Sequence, residues 1–304
     1  MLSATWRSAA AAVFGGAAAL WLSPALAHAV CGDRIFPATL AIDDPGVGDE
    51  LALPTLTYLP RNSSGSQAFD ATFSYTKTIF PGFGLSVQDG ATWQRPGGYG
   101  WESLNTEAKY NFLCIPQSEF MASVGTTVIW ENTGAGTQTQ PYNVYQPVID
   151  VGKGFGDLPT SLNILRPIAV TAELSESVPS QAWTNGNQNS TNLNWGFTVQ
   201  YSLPFYNSHV AEIDNDFFKH VIPITEFAFS RPISNSAPGG DVTTGTIQPG
   251  AIYMADTWQF ALEAIIPVNG ASGHGVGVVG ELHFFFDDIF PDTLGKPISQ
   301  WGQP

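Results

Sequence analysis

The sequence predicts an all-β protein, a transmembrane antiparallel up-and-down β-barrel of about 12 strands. Long stretches alternate strictly between apolar and polar residues, which is the pattern of strands that face two different environments. Charged residues are scarce, at 12% of the chain, where a soluble domain has about 25%. Beyond an N-terminal leader, no run approaches the ~18 consecutive apolar residues of a transmembrane helix, so a membrane location requires a closed barrel.

The clearest alternation lies near the C-terminus, where two arms form a predicted hairpin. Apolar residues alternate with polar or small ones across 258–268 and again across 275–286, and turn residues at 269–273 separate the arms. Strands of soluble proteins usually have about 5–6 residues. Each arm here has roughly the 9–11 residues that cross a bilayer at a tilt. The hairpin therefore predicts two adjacent strands of a membrane barrel.

Ten further segments have one apolar and one polar face, so the strand number is even, as single-chain bacterial barrels require. The twelve predicted strands are 51–59, 68–80, 83–94, 104–115, 118–131, 142–152, 163–175, 191–203, 217–231, 244–255, 258–268 and 275–286. The weakest are the three that contain Pro54, Pro147 or Pro249, because proline removes a ladder donor. With both termini in the periplasm, every second connection should be a tight turn. Two of these, 153–162 and 204–216, are long, so they are either misplaced boundaries or periplasmic flaps.

The chain divides into four predicted parts. Residues 1–27 contain Arg7, an apolar run and an Ala-x-Ala cleavage motif, the pattern of a bacterial-type signal peptide, with an uncleaved anchor helix as the alternative. Residues 28–50 lack alternation and are interpreted as a periplasmic lead-in or plug. Residues 51–286 form the barrel, and 287–304 form a C-terminal periplasmic tail.

The chain has two cysteines, Cys31 and Cys114. An even number of cysteines in an exported protein indicates a disulfide. Cys114 falls at the periplasmic end of a descending strand, where Cys31 should also lie, so the bond would tie the lead-in to the barrel rim. Lipidation of Cys31 is the alternative, although Val30 and His28 are poor neighbours for it.

Glutamates recur on the polar faces of the predicted strands. The predicted lumen-lining residues are Glu107, Lys109, Glu131, Glu173, Glu263, Glu281 and His283. Glu226 is ambiguous, because the face it occupies on its strand is unclear. An acidic lumen favours cations and repels anions. The alternative is that the glutamates pair with Lys109, Lys153 or Arg166 and only keep the wall hydrated.

Aromatic residues at predicted strand ends are expected to form girdles at the two membrane interfaces. They are Trp93, Trp130, Trp195, Tyr201, Tyr253 and Trp258, and ordinary core packing is the alternative.

No enzymatic motif is present in the sequence. The five histidines form no zinc-ligand spacing, and there is no nucleophile elbow, Walker loop or dinucleotide fingerprint. The acidic runs at 212–216 and 287–288 lack the glycine and closing glutamate of an EF-hand loop. We therefore predict no catalytic residue, no metal site, no cofactor and no enzymatic activity. Acidic residues outnumber basic ones 26 to 11, which argues against nucleic acid as a partner.

The sequence WQFALEAIIPVN (258–269) followed by GVVGELHFFFDDIFPDTLGKPI (277–298) resembles the phenol-degradation MetA-like family of bacterial outer-membrane β-barrels and related transporters. The resemblance covers about 50 C-terminal residues and implies that small hydrophobic or aromatic compounds cross the outer membrane through the barrel. The chain departs from many barrels because a tail follows the last strand. Either the tail folds back in the periplasm or Phe290 serves as an internal assembly signal.

The leading hypothesis is a monomeric barrel in the cell outer membrane that passes small molecules passively, narrow or plugged at this strand number. Its expected partners are the lipid bilayer, a small-molecule solute and, during biogenesis, the barrel-assembly machinery. One alternative is a non-transport outer-membrane barrel, either an enzyme or a structural protein. The other is a soluble secreted β-sandwich that binds a ligand.

Overall fold

Twelve antiparallel strands close into a barrel in the computed structural model, which describes residues 29–60, 67–136 and 138–302. The strands are β1 (Ala29–Cys31), β2 (Arg34–Phe36), β3 (Glu50–Leu59), β4 (Gln67–Phe80), β5 (Phe83–Arg95), β6 (Gly98–Trp101), β7 (Asn105–Ile115), β8 (Phe120–Ile129), β9 (Val144–Gly154), β10 (Ile168–Pro179), β11 (Trp183–Thr184), β12 (Asn187–Gln188), β13 (Thr191–Tyr201), β14 (Val221–Ser234), β15 (Thr244–Met254), β16 (Trp258–Pro267) and β17 (Gly277–Phe285). The barrel comprises β3–β5, β7–β10 and β13–β17, each paired with its neighbours in sequence. The pairing of β17 with β3 closes it and leaves no free edge. The predicted fold class is confirmed.

The connections divide the barrel into two ends. The turn end carries both termini of the barrel wall and the connections 81–82, 116–119, 155–167, 202–220 and 255–257. The loop end carries the described parts of the other connections, residue 60 and residues 96–104, 130–136, 138–143, 180–190, 235–243 and 268–276. The helices are α1 (Leu203–His209), α2 (Phe286–Ile289) and four 3-10 turns (Pro116–Ser118, Thr160–Leu165, Phe218–His220, Ile298–Gln300). Among the described residues, none of these helices has the length and apolar character needed to cross a membrane.

The faces of the strands are reversed relative to a soluble sheet. On β16 the charged or polar Gln259 and Glu263 are buried at 0% and 1% exposure, whereas Phe260 and Leu262 are exposed at 43% and 50%. Similar exposed residues occur on other strands: Leu56, Phe69, Leu85, Val124, Ile149, Leu174, Val199 and Val278. A β-sandwich turns its apolar faces inward to a common core. The sandwich alternative is therefore wrong, and the apolar outer wall is the surface that a bilayer covers.

The predicted girdle aromatics all lie on this outer wall. Trp93 and Trp130 are near the loop end, and Tyr253 stacks between Trp258 and Phe217 near the turn end. Tyr201 also ends its strand at the turn end. Trp195 lies in the middle of β13, away from the ends of the strand, and stacks on Phe229 of the next strand.

Two strands begin several residues later than predicted. The strand predicted at 217–231 is β14, which begins at Val221. The strand predicted at 163–175 is β10, which begins at Ile168, because Leu162, Ile164 and Leu165 lie in a 3-10 turn whose spacing imitates a strand. The two long connections at the turn end are present in the structure, at 155–167 and 202–220. The prolines are accommodated within strands, and on β3 the register shifts between Ala52 and Thr55, around the proline.

Candidate functional site

Residues 29–49, here called the inner segment, lie inside the turn-end half of the barrel. Their first anchor is the disulfide between Cys31 and Cys114, with 5.8 Å between the two Cα atoms. Cys31 is fully buried and Cys114 is exposed at the end of β7. The predicted disulfide is confirmed, and it fixes the start of the segment to the barrel rim.

Arg34 forms a second anchor at the turn end. Its guanidinium donates to Glu119 Oε2 at 3.1 Å and to the carbonyl oxygens of Pro167 at 3.1 Å and Arg166 at 2.6 Å. It also lies 4.0 Å over the ring of Phe205. Burial lowers the pKa of Arg34, and Glu119 opposes this shift. One fully buried side chain therefore joins the inner segment to three separate turn-end connections.

Where the inner segment meets β7–β10, which we call the polar flank, the contacts are ionic or hydrogen-bonded. Lys109 Nζ lies 2.5 Å from Asp43 Oδ2 and 3.4 Å from Asp150 Oδ2, and it donates to the Asp44 carbonyl at 2.6 Å. The Asp43 amide donates to Glu173 at 3.0 Å. Burial and the neighbouring Asp43 raise the pKa of Asp44 well above its usual range. Lys109 is thus the charge that balances several carboxylates at once.

Where the segment meets β14–β16, which we call the apolar flank, aliphatic packing dominates. Ile35 and Leu40 pack on a cluster of buried side chains, Ile222, Ile224, Ile252, Met254 and Ala261. Above this cluster, Glu226 accepts hydrogen bonds from three successive amides, Leu40, Ala41 and Ile42, at 2.7 to 3.1 Å. Aliphatic packing and these three hydrogen bonds therefore hold the segment on this flank.

A third contact lies at the turn-end rim, outside the barrel wall. The Asp49 amide donates to Asp287 Oδ2 at 3.0 Å, and Lys77 Nζ lies 2.5 Å from Asp49 Oδ1. Lys77 also donates to the Leu294 and Lys296 carbonyls, so it ties the tail to β4. Burial raises the pKa of Asp287 to about 8, against the hydrogen bond from the Asp49 amide, which lowers it.

On the loop-end side of the inner segment, the barrel contains a polar cavity of about 470 Å³. Its floor is residues 38–44, and its walls come from β3–β5, β7–β10 and β17. Six carboxylates line it: Asp43, Asp44, Glu50, Glu107, Glu173 and Glu281. The described lining residues include one histidine, His283, and neither lysine nor arginine. The lining is therefore strongly acidic.

The histidine of the cavity is bound between two of these carboxylates. His283 Nδ1 lies 3.0 Å from Glu281 Oε1, and His283 Nε2 lies 3.0 Å from Glu50 Oε2. Thr55 donates to the other oxygen of Glu281 at 2.7 Å. The β17–β3 seam thus carries a hydrogen-bonded chain across its inner face.

The structure brings four of the predicted lumen residues together and separates three. Glu107, Glu173, Glu281 and His283 line the cavity. Lys109 lies below it, against the inner segment. Glu263 is buried beside Glu226, under the cavity floor. Glu131 lies past the end of β8 at Ile129, in the loop-end connection, because the strand ends two residues earlier than predicted.

Sequence reasoning missed the part that the inner segment contributes. Asp43, Asp44 and Glu50 fall within the predicted lead-in or plug, 28–50, and all three line the cavity. The face of Glu226 was ambiguous because 217–220 was included in its strand, which begins at Val221. An acidic pair inside a segment without alternation was the available signal.

One arrangement of catalytic type occurs away from the cavity. Ser208 Oγ lies 2.8 Å from His209 Nδ1, and His209 Nε2 lies 3.6 Å from Asp33 Oδ2. Ser208 also donates to the Pro204 carbonyl at 2.9 Å, and none of these three residues lines the cavity. In the described parts of the chain, no group of three or more His, Cys, Asp or Glu side chains is arranged to hold a metal ion.

Fold and site together define a class of protein: a β-barrel with an apolar outer wall and an acidic, partly plugged lumen. No protein-family model matches the chain, and no curated protein matches it. Among solved structures it is similar to the NanC porin (10% identity, 78% of this chain and 98% of that one, TM-score 0.48). It is also similar to the KdgM porin (11%, 76% and 97%, 0.45) and to LpxR from Salmonella typhimurium (12%, 78% and 100%, 0.44). At such identities and TM-scores these likenesses add nothing to what the chain's own residues show.

Proposed function

We propose that the protein is an outer-membrane channel through which small polar solutes pass passively, with cations preferred over anions. The observation that carries this proposal is the acidic cavity inside a barrel whose outer wall is apolar. Rings of carboxylates in a narrow lumen lower the energy of a cation and raise that of an anion. Six carboxylates without a facing lysine or arginine among the described lining residues supply that field.

We propose the following placement in the outer membrane. The turn end faces the periplasm and the loop end faces outward, as is usual for barrels with short periplasmic turns. Residues 1–27 are removed on export, 28–50 act as a lead-in or plug, and 287–304 form a periplasmic tail. A monomer inserted by the barrel-assembly machinery is the expected form.

The class of solute follows from the lining. The resemblance to MetA-like barrels favours hydrophobic or aromatic compounds, whereas a cavity lined by carboxylates and hydroxyls favours polar or cationic ones. An aromatic solute would have to shed the water around these groups without replacing their hydrogen bonds, which costs about 1–3 kcal/mol for each buried group left unpaired. We therefore place polar and cationic solutes first.

The test begins with detergent-refolded protein on a gel, boiled and unboiled, since a folded barrel resists SDS and changes mobility on boiling. Ion current is then recorded in planar bilayers across a KCl gradient. We expect a reversal potential of the sign that marks cation preference. Absence of current above that of empty bilayers would overturn the channel, and an anion-selective potential would overturn the cation preference.

A matched pair of variants tests the role of the cavity. In the double variant Glu107→Gln/Glu173→Gln, two carboxylates of the lining become neutral at nearly constant shape, so the reversal potential should move toward zero. Glu176→Gln is the control, because Glu176 lies on the same strand as Glu173 but on its outward face. An equal shift in both variants would remove the cavity from the explanation.

A further inference from the structure

The boundary between the cavity and the inner segment differs from one side of the barrel to another. On the side of β4, β5 and β7 it continues downward as a crevice of about 40 Å³ between the wall and residues 43–50. The crevice and the cavity share six lining residues: Asp43, Asp44, Glu50, Thr76, Ser86 and Glu107. The two spaces therefore adjoin each other.

Three of the residues that line the crevice are glycines. Gly46 and Gly48 line it from the inner segment and Gly84 from β5, one residue above the start of that strand at the turn end. A Cβ atom at Gly84 would lie 2.7 Å from Val47 Cγ1, so the Val47 side chain packs directly against the Gly84 backbone. Val47 against Gly84 is the narrowest point of the crevice that the contacts define.

The other two flanks of the inner segment are packed at the positions that the contacts describe. On the polar flank, Gly152 has no room for a Cβ, which would meet the Phe36 ring and Pro45 at 2.9 Å. Ser123 on β8 is fully buried beside Asp150. On the apolar flank Ile35 and Leu40 pack on the aliphatic cluster.

We propose that small cations pass the inner segment through this crevice, with Val47 as the size-limiting residue and Lys109 as a charge at its edge; the inference rests on the proposed channel function. The crevice has the volume of about one water molecule, whose share of liquid volume is ≈ 30 Å³. Asp43, Glu50 and Glu107 line it against the single ammonium of Lys109, together with Asp44, whose raised pKa favours the neutral acid. The charge balance thus continues the cation preference of the cavity toward the turn end.

The test uses single cysteines and Ag⁺, a small cation that binds thiolates. Both native cysteines are in the disulfide, and no free cysteine occurs in the described residues. Val47→Cys places a thiol in the crevice with a side chain smaller than the native one. Ser123→Cys, nearly isosteric, places one on the closed polar flank. Ser175→Cys, also nearly isosteric, places one in the cavity above.

We expect Ag⁺ added from the loop-end side to remove on the order of half or more of the current of Val47→Cys, since a bound ion fills a passage of this size. Ser175→Cys should react with less loss, because the cavity is wide, and Ser123→Cys and the native protein should be unaffected. Val47→Gly should raise the current about twofold or more by widening the passage.

The outcomes separate the two proposals. A native protein without current would overturn the channel itself. A native protein with current whose Val47→Cys variant ignores Ag⁺ would leave the channel standing and overturn the crevice route. Block of Ser123→Cys in place of Val47→Cys would move the route to the polar flank and would equally overturn it.

Discussion

Where the inner segment meets β7–β10, Lys109 and the carboxylates of Asp43 and Asp150 hold it; where it meets β14–β16, aliphatic side chains do so. On the polar flank the Asp43 carboxylate is half exposed to the cavity, at 49%, while Lys109 is buried at 8%. On the apolar flank Ile252 is fully buried. The first contact is electrostatic and open to ions from the cavity, and the second combines aliphatic packing with the hydrogen bonds from the amides of residues 40–42 to Glu226.

The difference assigns separate tasks to the two flanks. Aliphatic packing is non-directional and insensitive to salt, so it is suited to holding the segment in place. A buried ammonium among carboxylates is strongly dependent on every partner, because removal of one charge leaves the others uncompensated. The crevice begins beside Lys109 and not beside the aliphatic cluster. We infer that any response to ions or to salt arises on the polar flank.

The largest effect should come from Lys109→Met, which breaks the polar flank. The substitution leaves Asp43 and Asp150 without their ammonium, and removal of one partner of a buried pair costs about 3–5 kcal/mol. The free energy of unfolding, measured by urea titration in detergent, should fall by that amount. Hydrogen exchange should accelerate at the amides of Asp43 and Asp44 before those of residues 40–42.

The control for this prediction neutralises the partners as well. In Lys109→Met/Asp43→Asn/Asp150→Asn the two carboxylates that pair with the ammonium are neutral as well, so part of the lost stability should return. Equal loss in the single and the triple variant would mean that Lys109 acts by packing, and the contrast between the flanks would fail.

Removal of the disulfide, by Cys31→Ser/Cys114→Ser, should have the next largest effect and should not distinguish the flanks. The bond closes a loop with a sequence separation of 83 residues. Such cross-links contribute about 2–4 kcal/mol by restricting the unfolded chain. Because Arg34 remains as the second anchor, hydrogen exchange in residues 38–45 should change little. A large increase there on one flank alone would contradict two independent anchors.

Most of the fold was predictable because each barrel strand separates lipid from water. Twelve predicted strands correspond to twelve observed ones, since the two environments impose a period of two on every strand. The errors occur where that contrast stops. Leu162, Ile164 and Leu165 imitate a strand although they lie at the turn end, where no wall divides two solvents.

The interior was less predictable, for a physical reason. Glu226 binds the amides of residues 40–42, which lie more than 180 positions earlier in the chain. No periodicity encodes such a contact, because the inner segment has neither the alternation of a strand nor that of a helix. The polar faces of the strands predicted that carboxylates enter the lumen. They contain no information about which of them meet water and which meet the segment.

The rim contact of Asp287 belongs to neither flank and is expected to give the main pH dependence outside the barrel wall. Its pKa is raised to about 8 in the folded protein, above the 3.8 of the unfolded chain, so the folded state binds the extra proton. Stability is therefore fully present below about pH 4 and is lost as pH rises through about 8, at no more than about 1.4 kcal/mol per pH unit. The unfolding free energy at pH 7 and pH 9 should differ in the native protein and much less in Asp287→Asn. An unchanged difference in the variant would assign the pH dependence to another group.

The smallest change tests the apolar flank. Ile252→Val removes one buried methylene from the cluster under Leu40 and typically costs about 0.5–1.5 kcal/mol. Because the contact is apolar, the loss should be the same in 50 mM and 500 mM KCl, whereas the loss in Lys109→Met should depend on salt, since screening acts on charges over about 10 Å at 0.1 M. The measurement is the unfolding midpoint of both variants at both salt concentrations. A salt-dependent loss in Ile252→Val would mean that the two flanks respond as one unit, and the route past the inner segment would then have to open by movement of the whole segment and not along the crevice beside Lys109.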